Sequence, residues 1–417
     1  MTNHNASNRP SLYDYRWLVS TQAQPWLCRV EQDRRAELAL VQSLRRDLSA
    51  SRAHLLLEQV ELRRRAKDKF ADAGHMFFTK VGLEQSTDQL AADYKSQRFD
   101  DLDGYVDLDG YVDLCCGIGG DLAALARKAP AACVLGVDRD RVVSLLAAAN
   151  VRDISPKAQV VVADASGFPV PEGCVWHLDP DRRPQGRRTT QLEWHSPDLA
   201  AVERLIERCP HGAIKLAPAS GVPDAWTERV ELEWISRQRQ CRQLVAWLGR
   251  LAHSPGLRRA TLLHADRLDD EPTVHSITGR PGVRIATAAD VGQFIYEPDP
   301  AVLAADLAGE LAQRHGLERL AAGSVYLTSD RPIGDPLAAC FQVNEVLPFD
   351  RKRLKRFLAQ RGITRLEIKQ RGLTVDPQKL RQELRVGGAR TAGESDPVLI
   401  LAKRDTTALA ILSRRLR

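Results

Sequence analysis

At 417 residues, with 43% hydrophobic and 27% charged residues, the chain is too long for one ordinary core and too evenly composed for a disordered or fibrous protein. The segment MTNHNASNRPSLYDYRW has neither a signal-peptide nor a transit-peptide pattern, and no apolar run reaches membrane-spanning length free of charge; a cytoplasmic, multidomain protein with no membrane partner is expected. The net charge of +6 is unevenly placed, because from Arg351 to Arg417 there are 18 Lys and Arg against six Asp and Glu, and the first 350 residues are net acidic. A localised basic module suits a polyanionic partner. The eight cysteines form no CxxC pair and have no histidines at ligand spacing, so neither a disulfide framework nor a metal site is expected.

Residues 1–99 are predicted to form an N-terminal helical domain. From Asp33 to Leu48 the apolar residues Ala36, Leu40, Val41, Leu44 and Leu48 recur near helical period, and a second helix with a basic face is expected from His54 to Phe70. "STDQLAADYKSQRF" opens a further short helix, with Ser86 or Thr87 as N-cap. Residues 100–290 change period. VDLCC, CVLGVD, AQVVVAD, CVWHLD and GAIKLA are short apolar runs separated by helical stretches such as DLAALARKA and DRVVSLLAAAN, which predicts an α/β fold with a parallel sheet and crossover helices. RVELEWIS, CRQLVAWLG and RRATLLHA follow without long helices between them and predict an antiparallel sheet edge. Residues 291–345 are expected to be a helical connector, its helix capped by Asp299, opened by Pro300 and stopped by Gly316. Residues 346–417 read as an α+β unit: helix Arg351–Arg361, strand Ile363–Lys369, helix Pro377–Leu384, strand Pro397–Lys403 and a last apolar element.

The chemistry starts at "DLDGYVDLDGYVDLCCGIGGD", residues Asp101 to Asp121. Only its third phrase supplies a cofactor turn: Val112 to Cys116 is a buried strand, and Gly117-Ile118-Gly119-Gly120 lets backbone N–H groups approach a ligand. The six-residue duplication keeps strand parity, since an even insertion leaves every side chain on its original face. Asp101, Asp103, Asp107 and Asp109 are spaced like calcium ligands, but glycine falls fourth and no distal Glu closes the loop, so a linker duplication is the better reading. Such a glycine turn is shared by dinucleotide enzymes and S-adenosylmethionine enzymes. Asp138 ends the second strand, where a carboxylate accepts from both ribose hydroxyls, and Asp164 ends the third, where it meets an adenine edge. Asp179 ends the fourth in "HLDPDRR", a motif that a dehydrogenase does not need. One Asp after a strand is usually a turn former or N-cap. Four strands in succession that carry such an Asp, Asp113 on the first, favour an S-adenosylmethionine site, with a nicotinamide site as the main rival.

From Asp113 to about Pro218 the order and spacing resemble the class I S-adenosylmethionine-dependent methyltransferases, with their Rossmann-like sheet. "DLCCGIGGD", "LDPDRR", "LEQSTDQLAADYKSQRF" and "VLPFDRKRLKRFLAQRGITRLEIKQRG" narrow the resemblance to bacterial methyltransferases that carry a C-terminal THUMP-like domain. The resemblance implies S-adenosylmethionine held by Asp113, Cys115, Gly117, Gly119, Asp138 and Asp164, a methyltransferase domain over 100–290 and a THUMP-like domain over 346–417. It also implies an RNA substrate, tRNA or rRNA, because THUMP domains are associated with RNA binding. Asp181 stands where many nucleic-acid methyltransferases have a second proline.

Asp179 and Pro180 are the catalytic candidates. Asp179 accepts from an exocyclic amine and the proline carbonyl aims at the same group, which favours nitrogen methylation. Carbon-5 methylation needs a cysteine nucleophile; GAIKLAPAS has Lys215 and Pro218 but no Cys, and Arg182 replaces the aromatic residue that stacks the base in adenine-N6 enzymes. Arg182, Arg183, Arg187 and Arg188 are candidates to hold phosphates at the cleft mouth, with pairing to nearby acids as the alternative. Lys215, Arg351, Lys352, Lys355, Lys369 and Arg371 complete the expected substrate-binding set. Trp194 and His195 are either a stacking pair or, as a tryptophan beside a helix start usually is, packing. Two rival functions remain: a non-catalytic RNA-binding protein on a methyltransferase scaffold, and a methyltransferase acting on a small molecule or protein.

Overall fold

The computed structural model describes residues 10–100, 110–182, 189–371, 373, 375–388, 396–404 and 407–416. Two units emerge from the packing: Met1–Glu231 with Leu244–Gly256 and Leu263–Thr273, and Leu232–Gln243 with Leu257–Leu262 and Val274–Arg417. No helix among the described residues is long and apolar enough to cross a membrane.

The first unit begins with helices α1 (Leu12–Leu18), α2 (Gln24–Gln32), α3 (Glu37–Leu44), α4 (Ala50–Ala66), α5 (Lys80–Gln85) and α6 (Gln89–Asp100). The α3 helix is shorter than its apolar period predicts, because the Asp33 carboxylate accepts from the Arg35 backbone N–H at 2.9 Å and holds that stretch in a turn. At the head of α6 the expected caps are replaced. Asp88 accepts from the Ala91 N–H, while the Thr87 hydroxyl turns inward to donate to Asp121.

The parallel sheet follows: β1 (Gly110–Leu114), α7 (Gly120–Lys128), β2 (Cys133–Asp138), α8 (Arg141–Val151), β3 (Ala158–Val162), β4 (Cys174–Leu178), α9 (Leu199–Arg208) and β5 (Gly212–Leu216). Strand order is β3-β2-β1-β4-β5, all parallel. Next come β6 (Glu231–Arg237), β7 (Gln240–Leu248), β8 (Arg258–His264) and β9 (Thr273–Gly279). Leu244–Leu248 of β7 pairs antiparallel with β5, as the change of period predicts. Because chain order jumps from β2 on one side of β1 to β4 on the other, a crevice opens at the carboxyl ends of β1 and β4, the usual ligand position in open α/β sheets. The N-terminal helices are joined to this sheet by one core, in which Leu27, Leu44, Leu56 and Phe77 pack with Leu146 of α8.

The second unit adds β10 (Phe294–Pro298), α10 (Pro300–Ala304), α11 (Ala308–His315), β11 (Glu318–Arg319), β12 (Leu327–Ser329), β13 (Ala338–Pro348), α12 (Arg351–Gln360), β14 (Glu367–Gln370), α13 (Pro377–Leu384), β15 (Val398–Arg404) and β16 (Thr407–Arg415). These strands form a sheet of order β11-β12-β10-β13-β16-β15-β14, parallel only at β14–β15. The expected helical connector over 291–345 needs correction: it holds two short helices, but β10 and β13 pair along five residues inside the sheet. Asp299 and Gly316 do cap the helical stretch, yet Asp306 at φ 57° breaks it into α10 and α11. Leu354, Leu358, Leu380 and Leu384 seat α12 and α13 on Leu399, Leu401 and Leu412 of the sheet.

Candidate active site

A cavity of about 590 Å³ occupies the switch-point crevice. Its floor is the turn after β1. Cys115 at φ 58°, Gly117 at φ 56° and Gly119 at φ 85° all adopt the left-handed region, which costs a non-glycine residue about 1–2 kcal/mol. Gly117 lines the cavity and its N–H donates to Asp138 Oδ2 at 3.0 Å. Gly119, between the cavity-lining Ile118 and Gly120, donates its N–H to the Cys116 carbonyl and serves as the N-cap of α7.

Asp138 is held from below by two backbone donors, Gly117 N–H on Oδ2 and Asp140 N–H at 2.9 Å on Oδ1, while burial raises its carboxyl above the ordinary range. Asp164 accepts from the Ser166 N–H at 2.8 Å, and that backbone bond lowers its carboxyl. Both line the cavity, one at the end of β2 and the other just beyond β3.

Behind them lies a buried polar layer that reading the sequence did not reveal. Register aligns Asp113 of β1 with His177 of β4, and the pleat puts Asp179 on the same face as His177. His177 Nδ1 is 2.7 Å from Asp113 Oδ1, and Lys95 Nζ of α6 is 3.2 Å from His177 Nε2. An ammonium only donates, so in this geometry Nε2 faces the Lys95 donor and Nδ1–H donates to Asp113. Lys95 also reaches Asp121 Oδ1 at 2.6 Å, and Thr87 donates to Asp121 Oδ2 at 2.6 Å. Burial pushes the Asp121 carboxyl up, but the Lys95 ammonium overcomes this, with help from His177 and Lys215, and holds it well below the ordinary range. Burial raises Asp113, which is 1% exposed, and its Oδ2 has no partner among the described residues although the residue lines the cavity. An orphaned carboxylate oxygen facing a cavity is an acceptor awaiting a cationic or N–H donor.

The opposite wall comes from β4 and β5. Lys215 was expected at the substrate; it is instead committed to Asp179 Oδ2 at 2.5 Å and to the Gln85 carbonyl at 3.4 Å. Asp179 Oδ1 has no partner among the described residues, and Pro180 lines the cavity beside it. Asp181 pairs with Arg139 at 3.1 Å and exchanges backbone bonds with Ser196. Arg182 lines the cavity; Arg183, Arg187 and Arg188, like Asp101 to Asp109 of the duplication, lie outside the described residues. Trp194 is 59% exposed, so it is not the packing residue expected, whereas His195 is buried.

The N-terminal helices contribute the roof. Tyr15, Thr79 to Gly82 and Gln85 to Thr87 line the cavity. Asn150 of α8 fixes this roof by accepting the Phe77 N–H at 2.7 Å and donating to the Phe77 and Ile118 carbonyls at 2.9 Å each. Cys115 and Cys116 also face the cavity, but burial pushes both thiols well above their ordinary range, so neither is a ready thiolate.

In the second unit the expected RNA-binding residues separate into two groups. Arg351 pairs with Glu383 at 2.9 Å, Lys369 with Glu297 at 2.7 Å, and Arg371 lies 4.0 Å from Glu297. Lys352 and Lys355, with Arg353 and Arg356 beside them on α12, have no ion pair among the described residues.

Residues 338–415 match the family model described as THUMP domain-like. The chain is 33% identical over 351 residues to proteins described as uncharacterized S-adenosylmethionine-dependent methyltransferases in two strains of Mycobacterium tuberculosis, an alignment covering 81% of this chain and 91% of each relative. The solved structure of a candidate methyltransferase from Porphyromonas gingivalis W83 shares the fold, with a TM-score of 0.70 at 19% identity over 97% of this chain and 98% of that one. With that identity extending over nearly the full length of the relatives, and a nucleoside-sized crevice rimmed by carboxylates at the switch point, this chain belongs to the S-adenosylmethionine-dependent methyltransferases.

Proposed function

We propose that this methyltransferase modifies RNA, tRNA or rRNA, and places the methyl group on a base nitrogen. When bound, S-adenosylmethionine supplies a methyl group already activated on a sulfonium. The protein's part is then to hold, align and keep out water. Asp113 Oδ2 is the acceptor for the amino-acid ammonium, Asp138 for the ribose hydroxyls and Asp164 for the adenine amine. Cys115 and Gly117 shape the floor on which the nucleoside rests.

The observation that carries the nitrogen assignment is the Asp179 carboxylate at the end of β4, with Oδ1 unpartnered among the described residues and Pro180 next to it. An exocyclic amine that gains a methyl sheds a proton, and Oδ1 is an acceptor at the cavity wall for the N–H that carries it. A carbon nucleophile would instead call for a thiolate, and the two cysteines at the cavity are held as thiols. The basic face of α12 and the THUMP-like match support an RNA substrate. Incorporation of labelled methyl groups from S-adenosylmethionine into total RNA, followed by identification of the modified nucleoside, tests the reading; a label found only in protein or small molecules refutes it. A protein that keeps the scaffold without the chemistry would bind RNA but show no heat of binding with S-adenosylmethionine.

A further inference from the structure

One buried cation has no role in this account. Lys215 sits in β5, a strand buried at all five positions, and is itself 8% exposed. Removing an ammonium from water costs several kcal/mol unless an anion and hydrogen bonds compensate it, and an ion pair in such a place is weak evidence for stability alone. Its partner is not a structural acid but Asp179, whose side chain is 27% exposed and opens on the cavity. The second contact of Lys215, to the Gln85 carbonyl, ties the same ammonium to the last residue of α5 in the roof.

We propose that Lys215 is a positioning residue: its ammonium fixes Asp179 through Oδ2, so that Oδ1 alone is presented to the target and only a group bearing an N–H is accepted beside the methyl donor. This rests on the reading that Asp179 receives the target nitrogen. The pair divides the work of one carboxylate between two oxygens. Without Lys215 the carboxylate is free to rotate, and the positive charge that Asp179 and Asp121 share is lost. With Lys215 in place, Oδ1 is the acceptor presented to the target, which excludes a target that offers a lone carbonyl at that position. Burial alone would lower the Lys215 ammonium, but Asp179 and Asp121 outweigh burial and raise it, so the cation persists through the neutral range.

The test has two independent arms. Crystal structures of wild type, Lys215→Arg and Lys215→Met are expected to show Asp179 in one orientation in the first two and displaced or in several orientations in the third; an unchanged Asp179 in Lys215→Met overturns the proposal whatever the substrate is. On total RNA, Lys215→Met is expected to lower kcat about a hundredfold with KM within about threefold. Lys215→Arg should recover most of this loss. In an Asp179→Asn background, Lys215→Met should cost less than about threefold more, since a positioning residue has nothing left to position. Additive losses overturn the proposal. Should Lys215→Met fail to fold, the Asp179→Asn, Lys215→Met pair removes both charges and keeps the cycle measurable through Lys215→Arg. If wild type labels no RNA, the RNA reading fails while the crystallographic arm still decides the role of Lys215.

Discussion

Asp113 combines three properties that rarely meet in one carboxylate: near-complete burial, one oxygen bonded to His177, and the other without a partner among the described residues. An acceptor left unsatisfied at such depth costs about 1–3 kcal/mol, a cost that a bound ammonium removes. Asp113→Asn is therefore expected to weaken S-adenosylmethionine binding roughly ten- to a hundredfold by calorimetry, the equivalent of about 1.5–3 kcal/mol for a bond to a charged group. Because burial raises the Asp113 carboxyl, protonation competes with the ligand at a higher pH than for a surface acid. Wild-type affinity should fall as pH drops through that titration, and the Asn variant should lack this dependence. The cysteines give a second residue-scale expectation. Iodoacetamide at neutral pH should label the exposed Cys28 and Cys133 well before Cys115 and Cys116, whose raised thiols leave little thiolate. Rapid alkylation of Cys115, read by peptide mass spectrometry, would reopen carbon methylation. Asp138, Asp164 and Asp179 stand out in the sequence because each lies at or just beyond the end of a strand of a β–α repeat, and Asp113 because it lies in the strand that runs into the glycine turn. Lys95, His177 and Asp121 do not. Their importance depends on strand register and on which face of α6 turns inward, and a lysine in "AADYKSQRF" looks like any solvated helix residue until the sheet is in place. His177 did leave a trace: it stands two residues before Asp179, on the same face of β4.

At the scale of elements, the site depends on helices that precede the sheet in the chain. Asn150 ties the stretch before α5 to the turn after β1 through three hydrogen bonds, so one side chain on α8 sets the height of the roof over the floor. Asn150→Leu leaves an N–H and two carbonyls without their partner and is expected to cost about 2–4 kcal/mol in chemical denaturation, with faster proteolytic cutting around Phe77. Equal stability and equal cutting would show that the roof is held elsewhere. The strands carry a steric constraint of the same kind. A Cβ at Gly212 would clash with the fully buried Trp176 ring, whose indole N–H already donates to the Cys209 carbonyl. Gly212→Ala should cost at least about 1–3 kcal/mol through overpacking, seen as a lowered midpoint in thermal unfolding. Element types and order could be read from period and caps, and Pro377–Leu384 was placed to the residue. The error at 291–345 has a physical cause: the caps at Asp299 and Gly316 dominate the pattern, while β10 and β13 gain their identity from partners far away in the chain.

The whole molecule is electrostatically divided, with a net acidic stretch of 350 residues carrying the methyl-transfer chemistry and a basic stretch of 67 residues at the end. On the proposed RNA reading, the basic module is the part of the chain that attracts the polyanion. Within that module charge count is a poor guide. Arg351, Lys369 and Arg371 hold elements together through Glu383 and Glu297, and Arg361 pairs with Glu345. The remaining row on α12, Lys352, Arg353, Lys355 and Arg356, projects from the helix whose Leu354 and Leu358 lie in the core. Changing all four to Gln should therefore leave folding and S-adenosylmethionine binding intact while weakening RNA binding. Each lost single-strand phosphate contact reduces the slope of log affinity against log salt by about 0.7, so the slope should flatten by about 3 if all four make contact. Changing Arg351, Lys369 and Arg371 instead should lower thermal stability and leave the slope nearly unchanged. The opposite pattern, a salt slope carried by the paired residues and indifferent to the α12 row, would mean that RNA breaks these ion pairs on binding and that this face of α12 is only a solvated surface.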